Sequence, residues 1–288
     1  MKGKPCDQWT MKEVYTYYEL VEETQQFVGH AMALHRDDSY LDQPAEITID
    51  AIKLYMDSMQ RFDNCKSPYI YPLYGLGGLP EGFSRLCAIN GGTFMLNKDV
   101  DEILYDASGK AWAIKTGNEV AKATQFIGDA SYFPSSKTRA AGKVIRAICL
   151  LDHPLANTDG AESAQIIIPA AQVKRRNDIY VCVISFAHFV ASQGKYIAIV
   201  STTCESANPS AEVQPGIDLL GKVLERFDSV STLFAPVGSG REDKCYVSKS
   251  YDATSHFESA AHDVLSLYER ITGTKLDMEI SADLNEDE

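Results

Sequence analysis

Six histidines, seven cysteines and a cluster of glycines hold most of the reactive potential of this 288-residue chain. His30, His35, His153, His188, His256 and His262 have neither the H-E-x-x-H nor the C-x-x-H spacing of a zinc site, so they read as hydrogen-bonded structural residues. Cys6, Cys65, Cys87, Cys149, Cys182, Cys204 and Cys245 are scattered and odd in number, with no C-x-x-C pair. Cys149 in VIRAICLL and Cys182 in IYVCVIS sit in apolar runs, where cysteine behaves as a small hydrophobe. That usage predicts free thiols in a reducing compartment. No G-x-S-x-G turn offers a serine nucleophile, and no spacing isolates a catalytic carboxylate pair. Gly75, Gly77, Gly78 and Gly82 form G-x-G-G-x-x-x-G, whereas a dinucleotide fingerprint needs G-x-G-x-x-G after a buried strand. The preceding PYIYPLY holds two prolines, which disfavour a central strand, so a turn is expected. No catalytic residue, metal ligand or cofactor is predicted.

Recognition is the chemistry that remains. Residues 66–98, KSPYIYPLYGLGGLPEGFSRLCAINGGTFMLNK, combine an aromatic loop, a glycine-studded turn, an amphipathic run with one arginine, and a double-glycine turn. Tyr69 and Tyr71 alternate with Pro68, Ile70 and Pro72, which stiffens an extended conformation. Rigid tyrosines lose little entropy on binding and serve as interface anchors. Composition alone leaves open whether they face a partner or pack under neighbouring helices.

The elements that must position this stretch follow from periodicity. Val14, Tyr17, Tyr18, Val21, Val28, Ala31 and Leu34 recur at three- and four-residue steps, predicting one helical face, with Gly29 costing about 1 kcal/mol against alanine. A second helix is predicted over 46–60, with Ile52, Tyr55, Met56 and Met59 inward. Residues 83–89 read as a short helix and 93–96 as a strand. Strands at 101–105 and 111–115 flank the Asp106-Ala107-Ser108-Gly109 turn, and 119–127 is read as one strand ending at Gly128-Asp129. The β-branched runs 144–151, 165–168, 179–185 and 196–203 predict buried strands. Helical spacing extends over 212–228, a strand over 244–250 and a helix over 257–271, with Ala261, Val264, Leu265, Leu267 and Tyr268 inward. The fold class is therefore α/β in the mixed α+β sense. Three parts are expected: a helical part at 1–65, a sheet-rich body at 66–276, and an acidic flexible tail at 277–288.

Charge narrows the partners. Lys and Arg number 27 against 40 Asp and Glu, a net charge of −13, which argues against nucleic acid. No apolar run spans a bilayer, and MKGKPCDQWT is not a secretory signal, so a soluble cytoplasmic protein is expected.

The ordered blocks MKEVYTYY, FVGHAMALHRDDSYLDQP, KSPYIYPLYGLGGLPEGFSRL, GGTFMLNK, QIIIP, DIYVC, QGKYIAI and SYDATSHFE resemble the Rab GDP dissociation inhibitor family, within the superfamily that includes the Rab escort proteins. The resemblance runs from about Met11 to about Leu276. It implies a body similar to FAD-dependent oxidoreductases, without working flavin chemistry, plus a small helical domain. It further implies a non-enzymatic, monomeric regulator of prenylated Rab GTPases in the GDP form, touching membranes transiently through the Rab. A prenylation accessory factor like the escort proteins, a fragment that has lost binding, and a flavin oxidoreductase remnant are the alternatives.

The same resemblance assigns residues. The Rab-binding platform would include Arg85, Thr93 and Met95. The family carries an acid seven positions before the arginine, where this chain has Gly78, so an ion pair or charge-assisted hydrogen bond to the GTPase would be lost. Arg61, Lys66, Ser67, Pro68, Tyr69, Ile70 and Tyr71 would fall in the mobile effector loop. Val21, Val28 and Ala31 would line the prenyl pocket, where each buried methylene gains about 0.8 kcal/mol. Family members also carry an N-terminal section that MKGKPCDQWT does not resemble, so the sheet is expected to be incomplete there, with an exposed edge.

Overall fold

The computed structural model describes residues 5–62, 67–255 and 257–278. The chain opens with α1 (Met11–Tyr17), α2 (Glu22–Gln26), a π-helical turn (Phe27–Met32), α3 (Ala45–Gln60) and α4 (Gly78–Ile89). Four short strands follow: β1 (Glu102–Tyr105), β2 (Ala111–Thr116), β3 (Glu119–Lys122) and β4 (Phe126–Gly128). Next come β5 (Thr138–Leu151), β6 (Ser163–Ile168), β7 (Ile179–Ser185) and β8 (Tyr196–Thr203). The short helices α5 (Pro209–Glu212) and α6 (Gln214–Asp218), the strands β9 (Glu225–Pro236) and β10 (Cys245–Val247), and α7 (Glu258–Thr272) complete the order. This is the mixed α/β class that the sequence predicts.

Two compact units divide the chain, one from residues 1–90 and 145–230, the other from 91–144 and 231–288. In the first, the sheet order is β6-β7-β8-β5-β9, with β7 antiparallel to both β6 and β8. Ile145, Ala147, Cys149 and Leu151 alternate inward along β5 and pack with Ile179, Val181, Val183, Ala198 and Val200, under Val213, Ile217 and Leu220 from the helical segment. A separate cluster of Met11, Val14, Tyr15, Tyr40 and Ala45 holds the N-terminal helices together. In the second unit, β1-β2-β3 form an antiparallel sheet and β4 pairs in parallel with β10. Asp106 fixes the β1–β2 turn, its Oδ1 accepting from the backbone N–H groups of Ser108 and Lys110.

Several local expectations are corrected. The N-terminal residues do not make one helical face: α1 is capped by a reciprocal Thr10–Glu13 box and stops at Tyr18, and Glu19 is left-handed, so Tyr17, Tyr18 and Val21 are exposed. Gly29 is no passive interruption. A Cβ there would lie 1.9 Å from Tyr40 Oη. Helix α3 turns Ala45 and Thr48 inward and Met56 outward. No strand forms over 93–96, for which no pairing partner exists among the described residues. The 119–127 run breaks into β3 and β4, which join different sheets. Helical structure in 212–228 ends at Asp218; Gly221 takes φ +76°, Leu224 N–H donates to Leu150 O at 2.8 Å, and Phe227 belongs to β9. Helix α7 buries Ala260 and Asp263 rather than Ala261 and Val264, because the Asp263 carboxylate accepts from Lys249 N–H at 2.9 Å.

Candidate functional site

The recognition stretch begins where α3 ends. Arg61 is the exposed C-cap residue of α3, its N–H donating to Ser58 O. Lys66, with residues 63–65, lies outside the described residues. Ser67 Oγ then accepts from Tyr69 N–H at 3.2 Å, and Ile70 stands 75% exposed. Tyr71 goes the other way. Its ring meets His188 edge-on at 5.7 Å and its hydroxyl hydrogen-bonds the Cys182 thiol of β7. Burial raises the Tyr71 hydroxyl well above its ordinary value and lifts the Cys182 thiol to about 11, so both are neutral packing groups. The alternation seen in the sequence thus resolves into an inward Tyr71 and an outward Ile70.

Two bulky residues next to this loop have left-handed backbones. Tyr74 (φ +64°) and Phe189 (φ +58°) stack at 5.0 Å between ring centroids, and Tyr74 N–H donates to His188 O at 2.8 Å. Such conformations are unusual for aromatic residues and persist only where surrounding contacts impose them. The sequence marks Tyr74 within an aromatic loop but gives no sign of its partner, 115 positions away by the residue numbers.

Helix α4 follows. Gly78 opens it and Arg85 comes two turns later, so the two share one side. Both are exposed, and a Cβ at Gly78 would meet nothing within 4 Å. At the far end Asn90 Nδ2–H donates to Leu86 O at 2.9 Å, closing the last turn. Thr93 and Met95 belong to the other compact unit, in a segment without regular secondary structure, and both are exposed.

The residues expected to meet lipid sit in the N-terminal helices. Val21 precedes α2 and is exposed, whereas Val28 and Ala31 lie half-buried in the π-helical turn, Val28 against the Tyr15–Tyr40 cluster. That turn is anchored by a buried histidine, one that no local spacing sets apart in the sequence. His30 is 3% exposed; its Nδ1 lies 2.7 Å from Asp178 Oδ2 and its Nε2 3.2 Å from Asp38 Oδ1. A carboxylate at each ring nitrogen favours the imidazolium form, in which both N–H groups donate. Burial works against that charge, but the hydrogen bonds and charges of Asp178 and Asp38 outweigh it and the pKa rises. Asp178 is itself fully buried and also accepts from Ala170 N–H at 2.8 Å. His35 shows the opposite behaviour. It stacks on Tyr40 at 4.2 Å with Nε2 2.9 Å from Thr48 Oγ1, and burial and the neighbouring His30 charge lower it to about 4.

Near the same end of β7, Arg175 Nη2 donates to Glu212 Oε2 at 2.8 Å and Thr203 O at 2.9 Å. Glu205 accepts from the N–H groups of Arg176 and Asn177. These carboxylates are saturated by backbone donors, which suits a structural clasp rather than acid–base work. Among the described residues no group of three or more His, Cys, Asp or Glu side chains could hold a metal ion, and no helix is long and apolar enough to cross a membrane.

Comparison with known proteins gives this geometry a context. The sequence pattern of the GDP dissociation inhibitor family matches residues 2–283. A fission yeast protein, the probable secretory pathway GDP dissociation inhibitor 1 of Schizosaccharomyces pombe, is 53% identical over 270 residues, covering 94% of this chain and 61% of that protein. Rab GDP dissociation inhibitor beta of Rattus norvegicus is 50% identical over 270 residues, covering 94% of this chain and 60% of that protein. The crystal structure of Rab GDI from Plasmodium falciparum superimposes with a TM-score of 0.91 at 46% identity, covering 96% of this chain and 62% of that one. The chain thus spans about three-fifths of the length of these relatives. It belongs to the GDP dissociation inhibitor family.

Proposed function

We propose that this chain is a non-enzymatic regulator that binds prenylated Rab GTPases in their GDP form, slows GDP release, and moves them between membranes and the cytosol in vesicle transport. The observation that carries the reading is the extent of the likeness: about half of all positions are identical, across nearly the whole chain, to proteins named Rab or secretory pathway GDP dissociation inhibitors. Exposure of the recognition residues supports it. Arg85, Gly78, Thr93 and Met95 are all on the surface, free to meet a GTPase. Arg61, Ser67, Pro68, Tyr69, Ile70 and Tyr71 would belong to the mobile loop beside it, where Ile70 stands 75% exposed. Val21, Val28 and Ala31 would take the lipid, within a helical part at 1–65 that serves a body at 66–276, with 277–288 as an acidic tail. Preference for the GDP form and retention of GDP are one linkage: a binder that favours that form stabilises it reciprocally. The protein acts as a monomer and reaches the membrane only through its GTPase.

The experiment is a pull-down of prenylated Rab, loaded with GDP or with a GTP analogue, alongside release of a fluorescent GDP analogue. The GDP form is captured preferentially, its nucleotide release slows, and Arg85→Ala weakens capture about tenfold, the size of one charge-assisted hydrogen bond. Equal capture of both forms, or of neither, refutes the reading.

A further inference from the structure

Helix α4 carries an apolar face that the other described residues leave largely uncovered. Leu79, Phe83 and Leu86, four and three residues apart, lie on one side, with Ile89 three further on; they are 42%, 68%, 55% and 71% exposed. None of the twelve residues of α4 is buried. Its first half holds Gly78, Pro80 and Gly82, poor helix formers, and a helix of this length is marginal on intrinsic propensity alone. Helices of this kind are held by what packs on their apolar side. Leu79, Phe83 and Leu86 lie roughly a third of a turn round the helix from the Gly78–Arg85 side, whereas Ile89, four residues after Arg85, borders it.

We propose that this stripe is a docking surface for polypeptide, and that its occupant is the section of the longer family members that this chain does not span, in the same polypeptide or supplied as a separate one. The relatives match α4 within an alignment covering 94% of this chain, yet about two-fifths of their own length lies outside the match. That is ample polypeptide to cover a three-turn helix. Other occupants fit less well. A membrane surface would want a basic rim, and α4 has a single cation, Arg85, in a chain of net charge −13. A second copy would bring the same −13 against it. The inference does not depend on the Rab reading.

The test co-expresses the full chain with a tagged piece of the fission yeast relative comprising only its unmatched residues. A second arrangement tethers that piece to the chain by a flexible linker. Hydrogen exchange follows the α4 amides. In the chain alone they exchange rapidly; with the piece present, in either arrangement, their protection rises at least tenfold. Phe83→Ser combined with Leu86→Ser lowers capture of the piece at least tenfold without moving the thermal transition of the chain, and Glu81→Gln leaves capture intact. Three results overturn the proposal: α4 amides unprotected even in the tethered form, capture indifferent to the stripe substitutions, or stripe-dependent dimers or liposome binding by the chain alone. Failure of Rab capture with the piece still captured would remove the Rab reading and leave this one standing.

Discussion

Replacing Gly29 by alanine should destabilise the N-terminal helices, although helix propensity alone says the reverse. In an unconstrained helix the substitution gains about 1 kcal/mol. Here the new methyl would sit 1.9 Å from Tyr40 Oη and 2.4 Å from its Cζ, far inside contact distance. Tyr40 has little room to retreat. It is buried, its ring is stacked on His35 at 4.2 Å, and its hydroxyl lies 3.3 Å from that of Tyr15. Overpacking at such a site costs about 1–3 kcal/mol, and a displaced buried tyrosine pair adds about 1 kcal/mol for its hydrogen bond. Subtracting the propensity gain leaves a net loss of about 1–3 kcal/mol.

Urea denaturation of the full chain, read by fluorescence of Trp9 next to the affected cluster, measures the loss as a lowered midpoint. The cause is isolated by a double-mutant cycle. In a Tyr40→Leu background the ring is gone, and Gly29→Ala should cost at least about 1 kcal/mol less than in the parent. Val28 and Ala31 share the turn with Gly29, so if they take the lipid as proposed, the substitution should weaken capture of prenylated Rab more than that of unprenylated Rab. A midpoint unchanged or raised by Gly29→Ala, or strict additivity in the cycle, refutes the steric argument.

The reach of the sequence can be judged from particular elements. Strands β5 to β8 were legible because their runs of Val, Ile and Ala leave few alternatives to a buried sheet. The β1–β2 hairpin was legible from Asp106 and Gly109, which set the turn locally. Strand β9 was missed. Its residues are mostly exposed, so burial imposes no clean alternation, and the apolar spacing of Val213, Ile217 and Leu220 ran on by coincidence into Val223 and Phe227. Within the candidate site, the blocks of residues were visible but not their direction. Nothing local says that Tyr71 turns in while Ile70 turns out. The His30–Asp178 bond joins residues 148 positions apart, which no window of sequence can pair. Gly29 looked like a tolerated defect, because the ring that demands it arrives eleven residues later and packs from outside the helix.

Three further outcomes test other parts of the argument. Asp178→Ala leaves His30 and the Ala170 N–H without their buried acceptor and should cost about 3–5 kcal/mol in denaturant titrations; a loss under about 1 kcal/mol would deny that the pair is ionic. The two histidines predict opposite pH dependences. His30, raised above 6.5, adds stability that is complete below pH 6.5 and fades as pH climbs through its raised value. His35, lowered to about 4, withdraws stability as pH falls from 6.5 to 4, because the unfolded chain takes up the proton first. The His35 drop corresponds to about 3 kcal/mol in full, and solvent screening at a part-exposed ring reduces it to roughly 1.5 kcal/mol. Stability profiles from pH 7 to 4 should therefore flatten by about that amount in His35→Gln; an unchanged slope would assign the acid loss elsewhere. Finally, Gly78→Glu restores an acid on the same side of α4 as Arg85. The site has room, since a Cβ there meets nothing within 4 Å, and its backbone is not left-handed. A carboxylate in the first turn also suits the positive end of the helix, by about 0.3–1 kcal/mol. The fold is thus left intact or slightly strengthened, and any change in Rab capture reports the contact itself. If α4 meets the GTPase, Gly78→Glu should tighten capture of the GDP form about tenfold, and the gain should shrink as salt rises. A gain that persists undiminished in high salt, or none at all with the thermal transition unchanged, would mean that this side of α4 does not face the GTPase.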